Sequence, residues 1–314
     1  MIGFLGEALI DFISREEDAG SDPLFHYYAG GSTLNAATAA SRLGSDALFL
    51  GKLSQDMFGQ KMKEYFRANN VTFLQELVDV PQNSMIGFAK IDETGAASYV
   101  FYTADTSVTS FSAAEIVKTI EEAENLDYIL IGSVSVALET SGEHIRNALK
   151  RVKNLPFIFF DPNVRPTVIE DFDRYHERMK ELASLSSIIK LSHEDLAFLY
   201  PDIPVTEGLN ALLQGNTQAI ILTLGKDGLR WIDQQGRNIE VPAIDNPIVD
   251  TVGAGDTVSG AVLTFLSENR IVQTSDLSNA QITEMLEFAV QAAAVTTSRK
   301  GANPPLRSEV GSVL

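Results

Sequence analysis

At Asp250-Thr251-Val252-Gly253-Ala254-Gly255-Asp256-Thr257 two glycines lead into a carboxylate, at the entrance to a strongly helical segment over 257–266. Glycine lets the backbone turn tightly enough for several N–H groups to point into one space. A helix N-terminus adds partial positive charge in the same direction. Such a nest suits the negative charge of a phosphoryl group in transfer, and Asp256 beside it could take the proton from an attacking hydroxyl. The same octapeptide also reads as an ordinary strand-to-helix turn in which Asp256 is only the N-terminal cap.

Other polar segments invite the same double reading. In Gly30-Gly31-Ser32-Thr33-Leu34-Asn35, glycine permits close backbone approach to a ligand, and Asn35 offers donor and acceptor groups at the start of a helix over 35–43. A capped loop has the same composition. The Gly-x-Gly-x-x-Gly spacing is absent, which speaks against a Rossmann dehydrogenase. Asp11, in Gly6-Glu7-Ala8-Leu9-Ile10-Asp11, could accept hydrogen bonds from two vicinal hydroxyls of a sugar, or serve as a turn residue.

Asp161-Pro162-Asn163-Val164-Arg165-Pro166 fixes polar side chains between prolines straight after an apolar run, an unusual make-up for a plain loop. Arg165 could bind a hydroxyl-rich or anionic ligand, with Asp161 and Asn163 orienting metal-bound water; a surface salt bridge is the alternative. Lys190-Leu191-Ser192-His193-Glu194-Asp195 supplies carboxylates that could hold Mg²⁺ through water, since that ion keeps much of its hydration shell. Thr223-Leu224-Gly225-Lys226-Asp227-Gly228 is a glycine turn that the phosphates or ribose of a nucleotide could approach, and equally a normal hairpin turn. His26, His144, His176 and His193 show no metal-ligand spacing, and His193 reads as solvent-facing.

The elements that must position these residues are legible as alternating patterns. Short apolar runs at 2–5, 47–51, 128–132, 157–161, 188–191 and 220–224 lack strict alternation, as strands buried on both faces do. Helical stretches at 35–43, 59–69, 113–124, 142–153 and 173–184 lie between them. This order predicts an α/β fold with a mostly parallel sheet covered on both sides, and ligands beyond the carboxyl ends of its strands. Two regions break the rhythm. Runs at 84–92 and 96–102 flank the turn signal Glu93-Thr94-Gly95, and 8–14 could pair with 24–28 around the polar stretch 15–22. Together they predict a small sheet outside the main layer. Its aromatics Phe12, Phe25, Tyr27, Phe88, Tyr99 and Phe101 are expected to cover substrate or another subunit.

The chain of 314 residues carries 42 acidic against 24 basic side chains, a formal net charge of −18. That disfavours nucleic acid and anionic membrane as partners, because phosphate contacts need clustered Lys and Arg. There is no cysteine, hence no disulfide or thiolate metal site. No long apolar run and no basic, cleavable N-terminal signal appear, so the expected location is the cytoplasm.

In their order along the chain, these motifs resemble the ribokinase-like (PfkB) family of ATP-dependent sugar kinases, from Gly6 to Pro305. The segments 250–256 and 30–35 carry the resemblance most specifically, and Gly6–Asp11 with Asp161–Pro166 resemble its fructokinase branch. The resemblance implies a three-layer αβα sandwich, one kinase domain over 1–314, and lid strands inserted at about 8–28 and 84–103. It makes Asp256 the general base and the backbone of Gly253, Ala254 and Gly255 the anion hole. Asp11, Gly31, Asn35 and Arg165 would hold the sugar, with Phe101 against its face. Lys190, Ser192, Thr223, Gly225, Lys226 and Gly228 would line the ATP side. Asp195 would reach Mg²⁺ through water, and backbone near Asp250, Val252, Arg299 and Gly301 resembles a site for a monovalent cation such as K⁺.

Departures from the family pattern bear on substrate and ions. Ser192-His193-Glu194-Asp195 stands for the Asn-x-x-Glu magnesium motif, so Asp195 has the shorter reach. Thr103-Ala104-Asp105 follows the lid where fructokinases often carry an arginine, and Pro305 stands where some members offer a hydroxyl near the potassium site. The reading is an ATP-dependent kinase making fructose 6-phosphate, as a homodimer joined through the lid. Kinases for another sugar, for a sugar acid such as 2-keto-3-deoxygluconate or for a nucleoside are the alternatives, with a non-catalytic sugar or nucleotide sensor as the rival from another class.

Overall fold

The computed structural model describes residues 1–15, 24–91 and 97–311. Among them a nine-stranded sheet runs in the spatial order Asn238–Val241, Leu229–Asp233, Ala219–Thr223, Ile188–Ser192, Phe157–Asp161, Tyr128–Gly132, Ile2–Leu5, Ala47–Leu50, Thr72–Phe73. Every neighbouring pair from Ala219–Thr223 to Thr72–Phe73 is parallel, and the remaining two strands close one edge as an antiparallel meander. All residues of Ile2–Leu5, Tyr128–Gly132 and Phe157–Asp161 are buried, which is why these segments read as continuous apolar runs. The expected strand positions agree with these to within one residue. The short edge strand Thr72–Phe73 and the meander strands Leu229–Asp233 and Asn238–Val241 were not among the expected ones.

Alternate side chains of the strands divide the core in two. Phe4, Leu130, Phe159 and Ile221 pack with Leu34, Val262 and Leu286 from the helices Ser32–Arg42, Ala254–Glu268 and Asn279–Thr297. Leu5, Ile131, Phe160 and Leu222 pack on the other face with residues of Ala113–Glu122, Glu139–Leu149 and Phe172–Leu185. The three-layer sandwich is therefore as expected. No helix among the described residues is long and apolar enough to cross a membrane.

Two features of this frame place the site. Strand order reverses beside Ile2–Leu5: the chain goes on to Ala47–Leu50 on one side, while Tyr128–Gly132 continues the sheet on the other. Such a switch point leaves a crevice at the carboxyl ends of the two strands. The helices Ser32–Arg42 and Ala254–Glu268 also cross closely at Gly260, where an added Cβ would come within 2.8 Å of Ala36 O and Ala39 Cβ. Absence of a side chain there lets the first turns of both helices meet over the crevice.

A separate four-stranded sheet has the order Leu24–Gly30, Leu9–Arg15, Met85–Ile91, Ala97–Tyr102. Both expected antiparallel pairs form, and a parallel pairing of Leu9 to Ile13 with Met85 to Ala89 joins them into one layer. The turn signal 93–95, most of the polar stretch 15–22 and the Tyr99 side chain lie outside the described residues. Period-two alternation splits the other aromatics between two faces. Phe101 stands in register with Gly87 and Asp11 on one face. Phe12 and Phe88 stack on the opposite face with centroids 4.9 Å apart, and Phe25, Tyr27 and Tyr102 gather around them.

Candidate active site

Between the small sheet and the switch point lies a cavity of about 310 Å³. Asp256 reaches it from the first turn of Ala254–Glu268, only 7% exposed. Its Oδ1 accepts a hydrogen bond from Ser32 Oγ at 2.6 Å, and its Oδ2 one from Asn35 Nδ2 at 2.8 Å. Ser32 and Asn35 stand three residues apart on the opposing helix and so share a face. The cap reading fails here, because Gly253 occupies the N-cap position with φ +79° and no side-chain cap. Among the described residues Asn35 Oδ1 is buried without a partner, an acceptor held ready in a wall of the cavity.

Asp11 faces the same space from the small sheet. Glycine makes its room: a Cβ at Gly30 would sit 2.3 Å from Asp11 Oδ2, and one at Gly87 would sit 3.0 Å from Oδ1 and 2.9 Å from the Phe101 ring. Burial pushes the Asp11 carboxyl up to about 7, against the pull of the Arg165 guanidinium and with the help of Asp256 and Glu7. Arg165 turns one guanidinium N–H back to Asn163 O and Val164 O, and its neighbour Asn163 holds φ +39°. Gly31, at φ +102°, allows the 30–35 loop to pass 3.1–3.2 Å from Glu7 where a Cβ would stand.

Beneath the first turn of Ala254–Glu268, Lys190 Nζ donates to Asp161 Oδ2 at 2.6 Å, with Ser259 Oγ on the same oxygen at 3.0 Å. Lys190 also comes within 3.5 Å of Gly255 O, so it both lines the cavity and supports the start of the helix. Asp161, expected as a possible holder of metal-bound water, is tied into this buried pair at 1% exposure.

Glu7 is a residue of the cavity that the sequence motifs do not single out. It is fully buried at the switch point, lines the cavity, and accepts from Ser32 N, Ser135 N and Thr33 Oγ1. Burial raises its carboxyl above the usual range despite its hydrogen bonds to Ser135, and the Asp256 charge adds to the rise. The available signal was a lone carboxylate inside the otherwise apolar run from Phe4 to Ile10. Ser32 is not singled out either, although it stands inside the 30–35 segment.

The family model for pfkB carbohydrate kinases matches residues 1–309. The chain belongs to that family.

The kinase is 31% identical over 291 residues to a fructokinase of Rhizobium leguminosarum bv. trifolii, covering 93% of this chain and 86% of that one. It is 29% identical over 321 residues to a probable fructokinase-4 of Arabidopsis thaliana, covering 100% and 96%. Among solved structures, a fructokinase with bound ATP from Xylella fastidiosa superposes with a TM-score of 0.88 at 24% identity, covering 99% and 97%. An uncharacterized sugar kinase from Pyrococcus horikoshii in complex with ATP gives 0.82 at 27% identity over 100% of both chains.

Of the remaining expected residues of the kinase, Val252 lines the cavity and the others fall outside its wall. Ser192 and Asp195 form a capping box at the helix His193–Leu199. Asp195 Oδ2 accepts from Ser192 N and Oγ, and Oδ1 accepts from Val164 N at 2.7 Å. Its carboxylate thus holds the 163–165 loop in place. His193 is exposed, as expected. Thr223 ends its strand beside the 225–228 turn, where a Cβ on Gly225 would meet open space and one on Gly228 would strike Val241 O at 2.1 Å. Lys226 is exposed on that turn. Asp250 accepts from Val252 N and Gly301 N, drawing those three expected positions together, while the Arg299 side chain pairs with Glu309.

Proposed function

We propose that this carbohydrate kinase transfers the γ-phosphoryl group of ATP to the 6-hydroxyl of D-fructose, with Asp256 as general base. The observation that carries the reading is the clamped Asp256 carboxylate beside the N-terminal nest of its own helix, across one cavity from Asp11. Phosphoryl transfer asks a protein mainly for positioning and electrostatic stabilisation. Asp256 takes the hydroxyl proton, and the Gly253–Gly255 backbone receives the charge of the transferring group. Asp11 accepts from sugar hydroxyls, Asn35 Oδ1 and Arg165 complete their partners, and Phe101 covers the sugar face. Lys190, its charge paired with Asp161, supports the first turn of the helix through Gly255 O.

Substrate class follows from the balance of charge. Glu7, Asp11 and Asp256 face the cavity against the Arg165 guanidinium, whereas Lys190 is already paired with Asp161. Such a wall suits a neutral polyol better than a sugar acid. Fructokinase names among the relatives support fructose within that class.

ATP is taken against the open turn at Gly225, with Ser192, Thr223, Lys226 and Gly228 on its side. Mg²⁺ fits as an ion carried on the ATP phosphates, since no group of three acidic or histidine side chains among the described residues could hold a metal. Asp195 keeps one Oδ1 lone pair for a bridging water; its other acceptor sites are taken. Carbonyls near Asp250, Val252, Arg299 and Gly301 are the proposed seat of a monovalent cation.

Coupled measurement of ADP release with fructose, ribose, 2-keto-3-deoxygluconate and a nucleoside, with and without K⁺, tests this reading. Fructose is expected to give the highest kcat/KM. Sugar binding without turnover of any member would sink the kinase mechanism, and a higher kcat/KM for the sugar acid would sink the neutral-sugar assignment.

We infer as well that a second copy covers the aromatic face of the small sheet. Phe25, Tyr27, Val100 and Tyr102 are 46%, 45%, 58% and 60% exposed there, and such a patch on a sheet with free edges asks for cover. Light scattering is expected to read a dimer at micromolar concentration, and a monomer would refute the inference.

A further inference from the structure

The base carboxylate has a built support that runs through Ser32 to Glu7. Ser32 Oγ lies 2.6 Å from Asp256 Oδ1, and the peptide N–H of the same residue donates to Glu7 Oε1 at 3.1 Å. Glu7 in turn accepts from Ser135 N, in the short helix Ser133–Ala137, at 3.1 Å. Among the described residues Glu7 has no cationic partner, so it is held at 0% exposure by N–H and O–H donors from both sides of the switch point. A buried carboxyl group costs stability unless its hydrogen bonds compensate, and here those bonds fix the peptide that carries Ser32. Asn35 grips only the second oxygen of Asp256. Rotation of the carboxylate about its own axis is stopped only when both oxygens are held.

We propose that Ser32 is a positioning residue for the catalytic base: its hydroxyl, on a peptide anchored by Glu7, fixes the Asp256 carboxylate in the orientation that meets the sugar hydroxyl. The proposal rests on Asp256 being the base. Orientation enters the transition state far more than it enters sugar binding, because proton transfer and in-line attack demand near-attack geometry. Its mark is a loss in kcat that leaves KM behind.

Steady-state kinetics of Ser32→Ala, Ser32→Thr, Glu7→Gln and Ser32→Ala/Glu7→Gln test it, with Asp256→Asn alongside. Ser32→Ala is expected to lower kcat about 10-fold with sugar KM within about 2-fold. Thr keeps the hydroxyl and should restore kcat to within about 3-fold of wild type. Gln in place of Glu7 turns an amide NH₂ toward one of the two peptide donors, so a comparable loss is expected. Because both residues act through one hydrogen-bonded chain, the double variant should fall no more than about 2-fold below the lower single.

An unchanged kcat in Ser32→Ala would overturn the proposal, as would a loss confined to KM, which would make Ser32 a sugar contact. Losses that multiply in the double variant would sever Glu7 from Ser32. Should Glu7→Gln not fold, the Ala and Thr variants at position 32 decide alone. If Asp256→Asn keeps near wild-type kcat, the base assignment fails; if Asp256→Asn collapses while Ser32→Ala does not, only the support fails.

Discussion

Replacing Asp256 by Asn should lower kcat by about 10³-fold or more and leave the KM for sugar within about 3-fold. The substitution keeps the shape of the side chain and removes its capacity to accept a proton. Its oxygen can still receive the Ser32 hydroxyl that now binds Oδ1 at 2.6 Å. The new NH₂ group would face Asn35 Nδ2, which today donates to Oδ2 at 2.8 Å. Asn35 has a remedy: a flip of its amide brings Oδ1 round to accept from the new NH₂ and turns Nδ2 to the cavity, where a sugar hydroxyl can accept from it instead of donating to Oδ1. The clamp therefore survives, and the loss should be chemical rather than structural. The anion stabilisation proposed for the 253–255 backbone should also survive and set the floor of residual activity. Kinetics together with thermal denaturation check both halves. A kcat within 10-fold of wild type would remove Asp256 from its role, and an unfolded variant would show that the clamp had not re-formed.

Legibility of this molecule in its sequence followed the strength of each local signal. Buried parallel strands such as Phe157–Asp161 announce themselves, because burial on both faces leaves an uninterrupted apolar run. The edge strand Thr72–Phe73 is two residues long and carries no such pattern. In the small sheet, strand positions were readable, but the parallel pairing of Asp11 with Gly87 joins residues far apart in sequence. That pairing decides which aromatics face the cavity; the residue pattern by itself does not separate Phe101 from Phe12, and only the family resemblance singles out Phe101.

Site residues show the same division. Asp256, Asn35 and Arg165 stand in glycine or proline settings that mark a special backbone, Asp11 follows the first apolar run, and the structure gathers all four on one cavity. Glu7 follows Gly6 but lies inside the apolar run itself, and its place in the site comes from the switch point, a property of strand order. Asp195 illustrates the converse. Its spacing from Ser192 fits a metal motif and a capping box equally, and the observed hydrogen bonds are those of the box. Lys190 reads as a strand-end cation, yet its charge is taken up by Asp161 from the neighbouring strand.

Asp11→Asn should raise the KM for sugar about 10²-fold while kcat falls by no more than about 5-fold, since hydrogen bonds to a charged acceptor carry about 1.5–3 kcal/mol each and the base is untouched. The pH profile gives this prediction a second edge. Burial holds the Asp11 carboxyl near 7, so in the free enzyme it loses its negative charge as pH falls through that value. Sugar hydroxyls need the anionic acceptor. Wild-type kcat/KM should therefore hold above about pH 7 and decline below it, and the decline should vanish in Asp11→Asn. Stability should move the opposite way. A carboxyl raised from 3.8 to about 7 binds its proton more tightly in the folded protein, so folding stability falls as pH rises through that window. At pH 8 the whole cost of the buried charge is present, and Asn removes it. Asp11→Asn should accordingly melt higher than wild type at pH 8, with the gain shrinking toward pH 5. A variant that melts lower at pH 8 would mean the carboxylate is a stabilising group, and an unchanged KM would mean it does not touch the sugar. Higher Tm with weaker sugar binding is the signature of a charge kept in the cavity at the expense of the fold, and only a ligand with hydroxyls to offer it gives that charge a use.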